Sequence, residues 1–298
     1  MLNSKHIKMN KAIKSSFIYL IIGTGIVLVI GGLLLLVSLD MRWMAAEAIL
    51  LSSIISYWIS KESKKLAAVR NSLLLTLPFA IFFWLVISKD LPSLWFLVVI
   101  FFVASILGSL LKYEKQGLAK ALITAMILVS ISISTVPLFV GNDLTKYMKQ
   151  EVESFDLVDH DGDKILYNHL TGKIVVLDFY GTWCKPCIAE LPELAKVRDY
   201  YIDNDDIVFM VVNADQGGDN LEKAKKFERK FGHGFRFTYD HDGKTYNKLG
   251  LGCAGVPSLV IIDKQGYIRM KHIGYNKSET GFVKNMIANI NRISKTEF

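Results

Sequence analysis

Cysteine is scarce in this sequence of 298 residues, which contains only three: Cys184, Cys187 and Cys253. None precedes residue 184, so the first half has no thiol chemistry of its own. An odd number of cysteines argues against a small scaffold held together by disulfides. A zinc site is also disfavoured, because no second Cys/His pair with ligand spacing accompanies Cys184 and Cys187. The sequence implies no metal, flavin or nucleotide cofactor.

An arginine-rich stretch with interleaved aromatic residues is also missing, although the formal net charge is +7. Many basic residues of the first half lie between long apolar runs, and those of the second half are interspersed with acids. A nucleic-acid-binding surface needs at least a basic stripe. We therefore exclude a nucleic-acid partner.

Charge is nearly absent from a series of apolar runs that extends to about residue 140. About 20 apolar residues in a helix span the bilayer core of about 30 Å. The first run follows a lysine-rich N-terminus, but it is too long for a signal peptide and lacks an Ala-x-Ala-like site, so we interpret it as an anchor. The pattern predicts a transmembrane region at 1–140 with five helices at 17–39, 43–59, 72–88, 93–111 and 118–140.

The loops between these runs predict an orientation. Lysine-rich loops join the second to the third span and the fourth to the fifth, whereas the other two loops are nearly neutral. The positive-inside rule then places the N-terminus in the cytoplasm and the C-terminal half outside it. We expect a multi-pass protein of the cytoplasmic membrane, in contact with the lipid bilayer. Residues 141–154 are predicted to form a linker or helical stalk, and residues 155–298 an extracytoplasmic domain.

Residues 155–298 have the pattern of an α/β domain. An extended segment turns at Asp161–Gly162, a pair that strongly favours a tight turn. The apolar, β-rich run 173–180 is typical of a strand buried on both faces. Further strands are predicted at 207–213, 235–239, 258–263 and 267–273, with helices after residue 184, at 220–231 and at 278–293. The order is βαβ followed by ββα, with a right-handed parallel unit.

A Cys-x-x-Cys motif lies between the predicted strand at 173–180 and the helix that follows it. A helix N-terminus offers unpaired N–H groups and a partial positive charge, which stabilise a thiolate on the first cysteine. Cys187, nearly one turn later, is within disulfide reach of Cys184. We therefore predict a redox-active Cys184–Cys187 disulfide, with Cys184 exposed and Cys187 shielded by Pro186 and the core.

The segment Trp183-Cys-Lys-Pro-Cys187 resembles the active site of the thioredoxin superfamily, and Cys187-Ile-Ala-Glu-Leu-Pro-Glu193 resembles its membrane-attached TlpA/ResA-like branch. The resemblance covers about half of the chain, from Phe155 to Ile293. It implies a thioredoxin-like α/β fold, here preceded by an α-helical transmembrane bundle. It matches Asp178 to the buried acid that assists proton transfer at the second cysteine, Glu190 to a helix acid of the branch, Pro192 to the proline that kinks the active-site helix, and Val256-Pro257 to the cis-proline loop that faces the disulfide.

Elementary chemistry agrees with two of these roles. Asp178 is a single charge in an apolar strand, and a buried acid is costly unless its pKa rises. The alternative is a strand-end acid exposed to water. Pro257 precedes a β-rich run in which it could not donate a hydrogen bond, and X–Pro is the one peptide bond that is commonly cis. Pro192 could instead end a short helix. Cys253 is interpreted as a buried inert thiol, with a third redox cysteine as the alternative.

Five of the histidines fall in predicted turns, and none is interpreted as a ligand: His160, His169, His233, His241 and His272.

These features together predict a protein thiol–disulfide oxidoreductase that exchanges disulfides with protein dithiol or disulfide substrates, more as a reductant than as an oxidant. Cys184 attacks as a thiolate, and Cys187 resolves the mixed disulfide with help from Asp178. The predicted docking residues are Trp183, Lys185, Pro186, Val256 and Pro257. Because the membrane half has no cysteine, electrons must come from a separate membrane or extracytoplasmic redox partner.

Two other functions stay open. One is a redox-responsive sensor or binding module coupled to the membrane bundle. The other is a redoxin-type peroxidase, which needs a proline and a Thr or Ser at fixed positions before a single peroxidatic cysteine. Leu177-Asp178 stand where that proline would be.

Overall fold

The computed structural model describes residues 18–25, 40–59, 65–87, 91–152, 154–252 and 255–295. These residues divide into two compact units, a helical unit up to Asp143 and an α/β unit from Leu144. Of the predicted first span at 17–39, only residues 18–25 are described, and they are helical. The remainder of that span lies outside the described residues.

Among the described residues, the helical unit contains four long helices: α1 (Met41–Ile59), α2 (Lys65–Ile87), α3 (Phe96–Leu111) and α4 (Gly117–Leu144). Within the described residues, three segments are long and apolar enough to cross a membrane by length and composition: Lys65–Leu85, Pro92–Leu111 and Gly117–Leu144. Helix α1 covers the predicted second span but does not belong to these three, since Glu47 and several serines interrupt its apolar sequence.

Eight strands form one sheet in the α/β unit: β1 (Thr145–Glu151), β2 (Asp156–Asp159), β3 (Lys164–Leu166), β4 (Ile174–Tyr180), β5 (Ile207–Asn213), β6 (Arg236–Tyr239), β7 (Ser258–Ile262) and β8 (Tyr267–Ile273). Their order is β1-β8-β7-β4-β5-β6-β2-β3. Strand β4 is central, parallel to β5 and antiparallel to β7. Every residue of β4 is buried, as expected for a strand covered on both faces.

The helices of this unit are α5 (Lys185–Tyr200), α6 (Leu221–Phe231), α7 (Lys244–Lys248) and α8 (Phe282–Lys295). Successive residues of β4 point to opposite faces of the sheet. Val176 and Tyr180 pack in an apolar cluster with residues of α5 and α8, whereas Val175 and Phe179 pack in a second cluster on the other face. Helix α5 is therefore held against β4 and α8 by apolar contacts.

The predicted linker at 141–154 is wrong in most of its length. Helix α4 continues to Leu144, and residues 145–151 form β1, which pairs antiparallel with β8 at the edge of the sheet. The strand is polar and mostly exposed, so its sequence shows no apolar alternation. Backbone pairing with β8 forms the strand, and this pairing is not visible in the sequence of residues 145–151.

Two smaller predictions about the elements are also tested by the structure. The turn at Asp161–Gly162 is confirmed, since β2 and β3 pair around it and Gly162 has a φ of 93°. The closing helix begins at Phe282 and not at Ser278, because Asn276 accepts a hydrogen bond from the backbone N–H of Ser278 and the chain turns before the helix starts.

Candidate active site

The two cysteines lie at the C-terminal end of β4, where the chain enters α5. Cys184 is the N-cap residue of α5, and its backbone N–H donates to the carbonyl of Gly181 at 3.0 Å. A disulfide joins Cys184 to Cys187 with 5.3 Å between their Cα atoms. The N–H of Cys187 donates to Sγ of Cys184 at 3.1 Å. A helix-terminal N–H is thus aimed at the sulfur that would carry the negative charge after reduction.

The expected exposure of Cys184 is wrong for this disulfide form. Only 2% of its surface is exposed, nearly as little as the 1% of Cys187. The reason is a loop that closes over the sulfur: Sγ of Cys184 lies 3.6 Å from the carbonyl oxygen of Val256. Attack on this disulfide therefore requires a substrate that reaches the edge of the Val256–Pro257 loop.

That loop is anchored from several sides. The Val256–Pro257 peptide bond is cis, and Pro257 is buried. The carbonyl of Gly255 accepts hydrogen bonds from the hydroxyls of Tyr246, at 2.6 Å, and Ser258, at 2.7 Å. Cys253 lies outside the described residues, so its two interpretations stay predictions.

Trp183 forms an exposed apolar surface beside the disulfide. Its side chain is 53% exposed, and its Nε1 donates to the carbonyl of Gln216 at 3.0 Å. Gly217 allows this contact, because it has a φ of 64° and a Cβ there would collide with Nε1 of Trp183. Lys185 is exposed and Pro186 is half-buried next to it.

Asp219 holds the loop before the cysteines, and the sequence interpretation missed it. Its carboxylate accepts the backbone N–H of Thr182 at 2.8 Å, the hydroxyl of Thr182, and the amide of Asn213 at 3.0 Å. It thereby ties the loop that carries Trp183 to the end of β5. Nothing in the sequence around Asp219 indicates that it reaches a loop more than thirty residues earlier.

Asp178 and Glu190 are both buried acids on the α5 side of the sheet. Asp178 is 1% exposed, so the alternative of a strand-end acid in water is wrong. Burial raises the pKa of Asp178 to about 8. Burial, followed by the negative charges of Asp178 and Glu279, raises the pKa of Glu190 well above its usual value. Asp178 is therefore able to take up and release a proton near neutral pH, and burial favours the protonated form of Glu190.

One histidine assignment is wrong. His272 lies in β8 and not in a turn, and it is 1% exposed. Its Nε2 lies 3.2 Å from Oε2 of Glu279. The sequence around His272 gave no sign of this contact, because its partner Glu279 comes from the turn before α8.

The sheet order, the active-site helix and the Cys184–Cys187 disulfide at its N-terminus define a thioredoxin-like thiol–disulfide oxidoreductase. The model of the AhpC/TSA family matches residues 148–271. The thiol–disulfide oxidoreductase ResA of Bacillus thuringiensis is 31% identical over 45% of this chain and 76% of its own length. That of Geobacillus thermodenitrificans is 26% identical over 53% of this chain and 88% of its own length. The chain belongs to the ResA-like family of the thioredoxin superfamily.

Two further likenesses accompany these. The thioredoxin-like protein YneN of Bacillus subtilis is 31% identical over 42% of this chain and 71% of its own length. A crystal structure of a DsbF homologue from Corynebacterium diphtheriae is 22% identical, with a TM-score of 0.42, and covers 50% of this chain and 92% of the other.

Proposed function

We propose that Cys184 and Cys187 are the working redox pair of a membrane-attached, extracytoplasmic enzyme that exchanges disulfides with protein substrates, chiefly as a reductant. The observation that supports this most strongly is the disulfide at the N-terminus of α5, with Sγ of Cys184 facing the Val256 carbonyl. Asp178 and Glu190 are buried on the same face of the sheet as the two cysteines, so acids are available for proton transfer to and from Cys187.

The proposed reaction proceeds through a mixed disulfide. In the reduced enzyme the Cys184 thiolate attacks a substrate disulfide, forming one S–S bond while the substrate's other sulfur leaves as a thiolate. Cys187 then loses its proton to the carboxylate of Asp178 and attacks Sγ of Cys184. The Cys184–Cys187 bond forms, the second substrate sulfur leaves, and two electrons have passed to the substrate.

Substrate docking is proposed at the surface formed by Trp183 and Val256. Trp183 offers an exposed apolar ring, and its position is fixed by the hydrogen bond to Gln216. Val256 is half-buried and presents its carbonyl toward the disulfide. An extended substrate segment could pair with this backbone. Lys185 and Pro186, between the cysteines, and Pro257 complete the surface.

The membrane attachment is supported by the three apolar helices and by the lysine-rich loops of the sequence. In the proposed topology these loops are cytoplasmic and the α/β unit lies outside. No cysteine occurs before residue 184, so reducing equivalents must come from a separate membrane or extracytoplasmic partner.

The test of the redox assignment is trapping from membranes by the full-length chain. Cys187→Ser should accumulate a covalent adduct with its partner on non-reducing gels, because the mixed disulfide cannot be resolved. Cys184→Ser should trap nothing and lose disulfide reductase activity. Cys253→Ser is the matched control and should preserve both behaviours. Adducts that survive Cys184→Ser but vanish in Cys253→Ser would show that Cys253 is the nucleophile.

The topology has a test of its own. A phosphatase that is active only outside the cytoplasm is fused after Phe298. Because the proposed topology places the C-terminus outside, this fusion should be active in the intact cell. The matched control is the same fusion in the loop at 112–116, which should be inactive. Strong cytoplasmic activity of the C-terminal fusion would contradict the proposed orientation.

A further inference from the structure

A row of side chains crosses the sheet from the active site toward its edge. Asp178 on β4 is in register with Leu259 on β7, Leu259 with His272 on β8, and His272 with Thr145 on β1. Residues directly opposite each other on neighbouring strands have side chains on the same face. Asp178 and His272 are therefore on one face, separated by a single strand, and Thr145 continues the row to the sheet edge.

Two further acids cover this row from above. Glu190 comes from α5 and Glu279 from the turn before α8, and both are buried. Among the described residues, no hydrogen-bond partner satisfies the carboxylate oxygens of Asp178 and Glu190, Oε2 of Glu279 or Nε2 of His272. A buried polar atom without a hydrogen-bond partner reduces the stability of the fold. Four such residues at one place therefore point to a functional role for the group.

His272 and Glu279 form the outer part of this group. Nε2 of His272 lies 3.2 Å from Oε2 of Glu279 but is not aligned for a hydrogen bond. Nδ1 of His272 lies 3.0 Å from the hydroxyl of Thr145, which is half-buried. The ring of Phe282 stands edge-on to the imidazole at 5.5 Å and closes the group on the α8 side.

Electrostatics connects the outer part to the cysteines. The negative charges of Asp178 and Glu279 both add to the effect of burial in raising the pKa of Glu190. Glu190 thus senses the acid beside the cysteines and the acid beside His272 at the same time. A change of charge at either end alters the proton affinity of the group in the middle.

We propose that the His272–Glu279 pair is a buried proton store for the Cys184–Cys187 centre, coupled to it through Glu190 and Asp178. The proposal rests on the proposed function. In the same reaction the pair acts on the cysteines only through Glu190 and Asp178 and does not touch the substrate. A docked protein substrate covers the mouth of the site at Trp183 and Val256. A proton from Cys187 would then have an inner path toward the β1 edge.

The proton balance of one resolution step is closed. The thiol proton of Cys187 goes to Asp178. The proton of Glu190 goes to Glu279, and Nε2 of His272 then accepts this proton from Glu279. The Nδ1 proton leaves toward the Thr145 hydroxyl and solvent. One proton enters the group and one leaves it, and no electrons move along it. Reduction of the disulfide reverses the direction.

The first test is whether the proton of the His272 ring lies on a different nitrogen in the two redox states. Full-length protein in lipid nanodiscs is labelled with 13C-histidine, and the His272 signal is assigned by its loss in His272→Gln. If that variant does not fold, single replacements of the exposed His160, His169, His233 and His241, and of His6, assign it by elimination.

By this proton balance the His272 ring carries its proton on Nδ1 in the dithiol form and on Nε2 in the disulfide form, so the 13C shifts of the ring should differ between the two redox states. In Glu190→Gln this difference should shrink. Equal ring shifts of His272 in both redox states of the wild type would overturn the proposal.

The second test is kinetic. Glu279→Gln should move the pH profile of mixed-disulfide resolution to lower pH, since it removes a negative charge that raises the proton affinity of Glu190, and Glu279→Asp should restore the profile. Lys271→Gln is the matched control: Lys271 is a buried neighbour on β8, is in register with Val260 on the opposite face, and contacts Gln150 and Gly250.

The outcomes separate the two ideas. If Glu279→Gln and Lys271→Gln have the same resolution profile as the wild type while Cys187→Ser still traps its partner, the proton store is wrong and the redox assignment stands. If Cys187→Ser traps nothing, the proposed function itself is wrong. A shifted profile in Glu279→Gln alone supports the store.

Discussion

The two units of this chain place polar and apolar groups in opposite ways. In the helical unit large apolar side chains such as Ile81, Leu85 and Ile127 are exposed, while the hydroxyls of Ser56 and Ser105 meet in the interior at 2.6 Å. In the α/β unit apolar side chains fill both faces of the sheet. The exposed surface of the first unit is rich in apolar side chains and suits lipid, whereas the exposed surface of the second unit suits water. An average hydrophobic content of 51% conceals this division.

The kind of polar group inside each unit also differs. Among the described residues of the helices, the buried polar side chains are mostly serine, with Thr76 and Asn71, and several of the hydroxyls bond within their helix or to a neighbouring one. Asp40, just before α1, is also buried but is paired with Arg42. The α/β unit instead buries four ionisable groups on the face of its sheet that packs against the cysteines, and polar atoms of all four lack a hydrogen-bond partner among the described residues: Asp178, Glu190, His272 and Glu279. Hydroxyls inside a bundle serve packing, whereas buried acids reduce stability and so point to chemistry.

The largest effect that would sharpen this comparison concerns Asp178. Its pKa is raised by burial from 3.8 to about 8, so the folded state binds the proton more tightly and wild-type stability falls as pH rises through that window. Asp178→Asn should stabilise the unit by up to about 5 kcal/mol at pH 8 and by little at pH 4, at about 1.36 kcal/mol per pKa unit.

The measurement is the denaturant dependence of amide hydrogen exchange in β4 at both pH values. Asp161→Asn, at an exposed turn position, is the matched control and should follow the wild type. Identical pH dependence of Asp178→Asn and the wild type would mean that burial does not perturb this acid.

The second effect compares equivalent substitutions in the two units. Ile127 on α4 is 55% exposed and Ile202 after α5 is 70% exposed. If α4 faces lipid, Ile127→Arg should cost about 3 kcal/mol, whereas Ile202→Arg on a water-facing surface should change stability by less than about 0.5 kcal/mol. Unfolding of the full chain in bicelles measures both. Equal, small effects would break the comparison, since both surfaces would then face water.

The third effect concerns the loop that carries Trp183. Asp219→Ala removes the acceptor for Thr182 and Asn213, so it should cost about 1.5–3 kcal/mol and lower the rate of substrate attack. Glu193→Ala is the control, because its pair with Lys196 on the surface of α5 contributes at most about 1 kcal/mol. Thermal unfolding and reductase assays measure these effects. A loss no larger than that of Glu193→Ala would remove Asp219 from the support of the site.

The smallest effect lies inside the helical unit. A double-mutant cycle of Ser56→Ala and Ser105→Ala should give a coupling free energy of about 0.6 kcal/mol, the usual value for a hydrogen bond between membrane helices. Ser134→Ala, whose hydroxyl bonds within its own helix, provides a control that should not couple to Ser105. A coupling of zero between Ser56 and Ser105 would argue against this contact between α1 and α3.

The sequence predicts a segment's structure well where the segment's own residues reflect its surroundings. The run at β4 is apolar throughout because both of its faces are covered, and the Cys-x-x-Cys motif follows directly where the chain turns into α5. The Asp-Gly pair marks the hairpin between β2 and β3 for an equally local reason.

What the sequence does not show depends on partners distant in the chain. Strand β1 is polar because it lies at an exposed edge, so only its pairing with β8 makes it a strand. Asp219, His272 and Glu279 acquire their contacts through the folding of loops onto the sheet. The burial of Cys184 likewise follows from its contact with the Val256 loop, which lies 72 residues later in the chain.

The direct junction of α4 and β1 has a practical consequence for preparing the α/β unit on its own. Helix α4 ends at Leu144 and β1 begins at Thr145, so no residue lies between the two elements. A fragment that starts at residue 155 would lose the strand that pairs with β8 and the hydroxyl that contacts His272. A fragment that keeps every strand of the sheet must begin at or before residue 145.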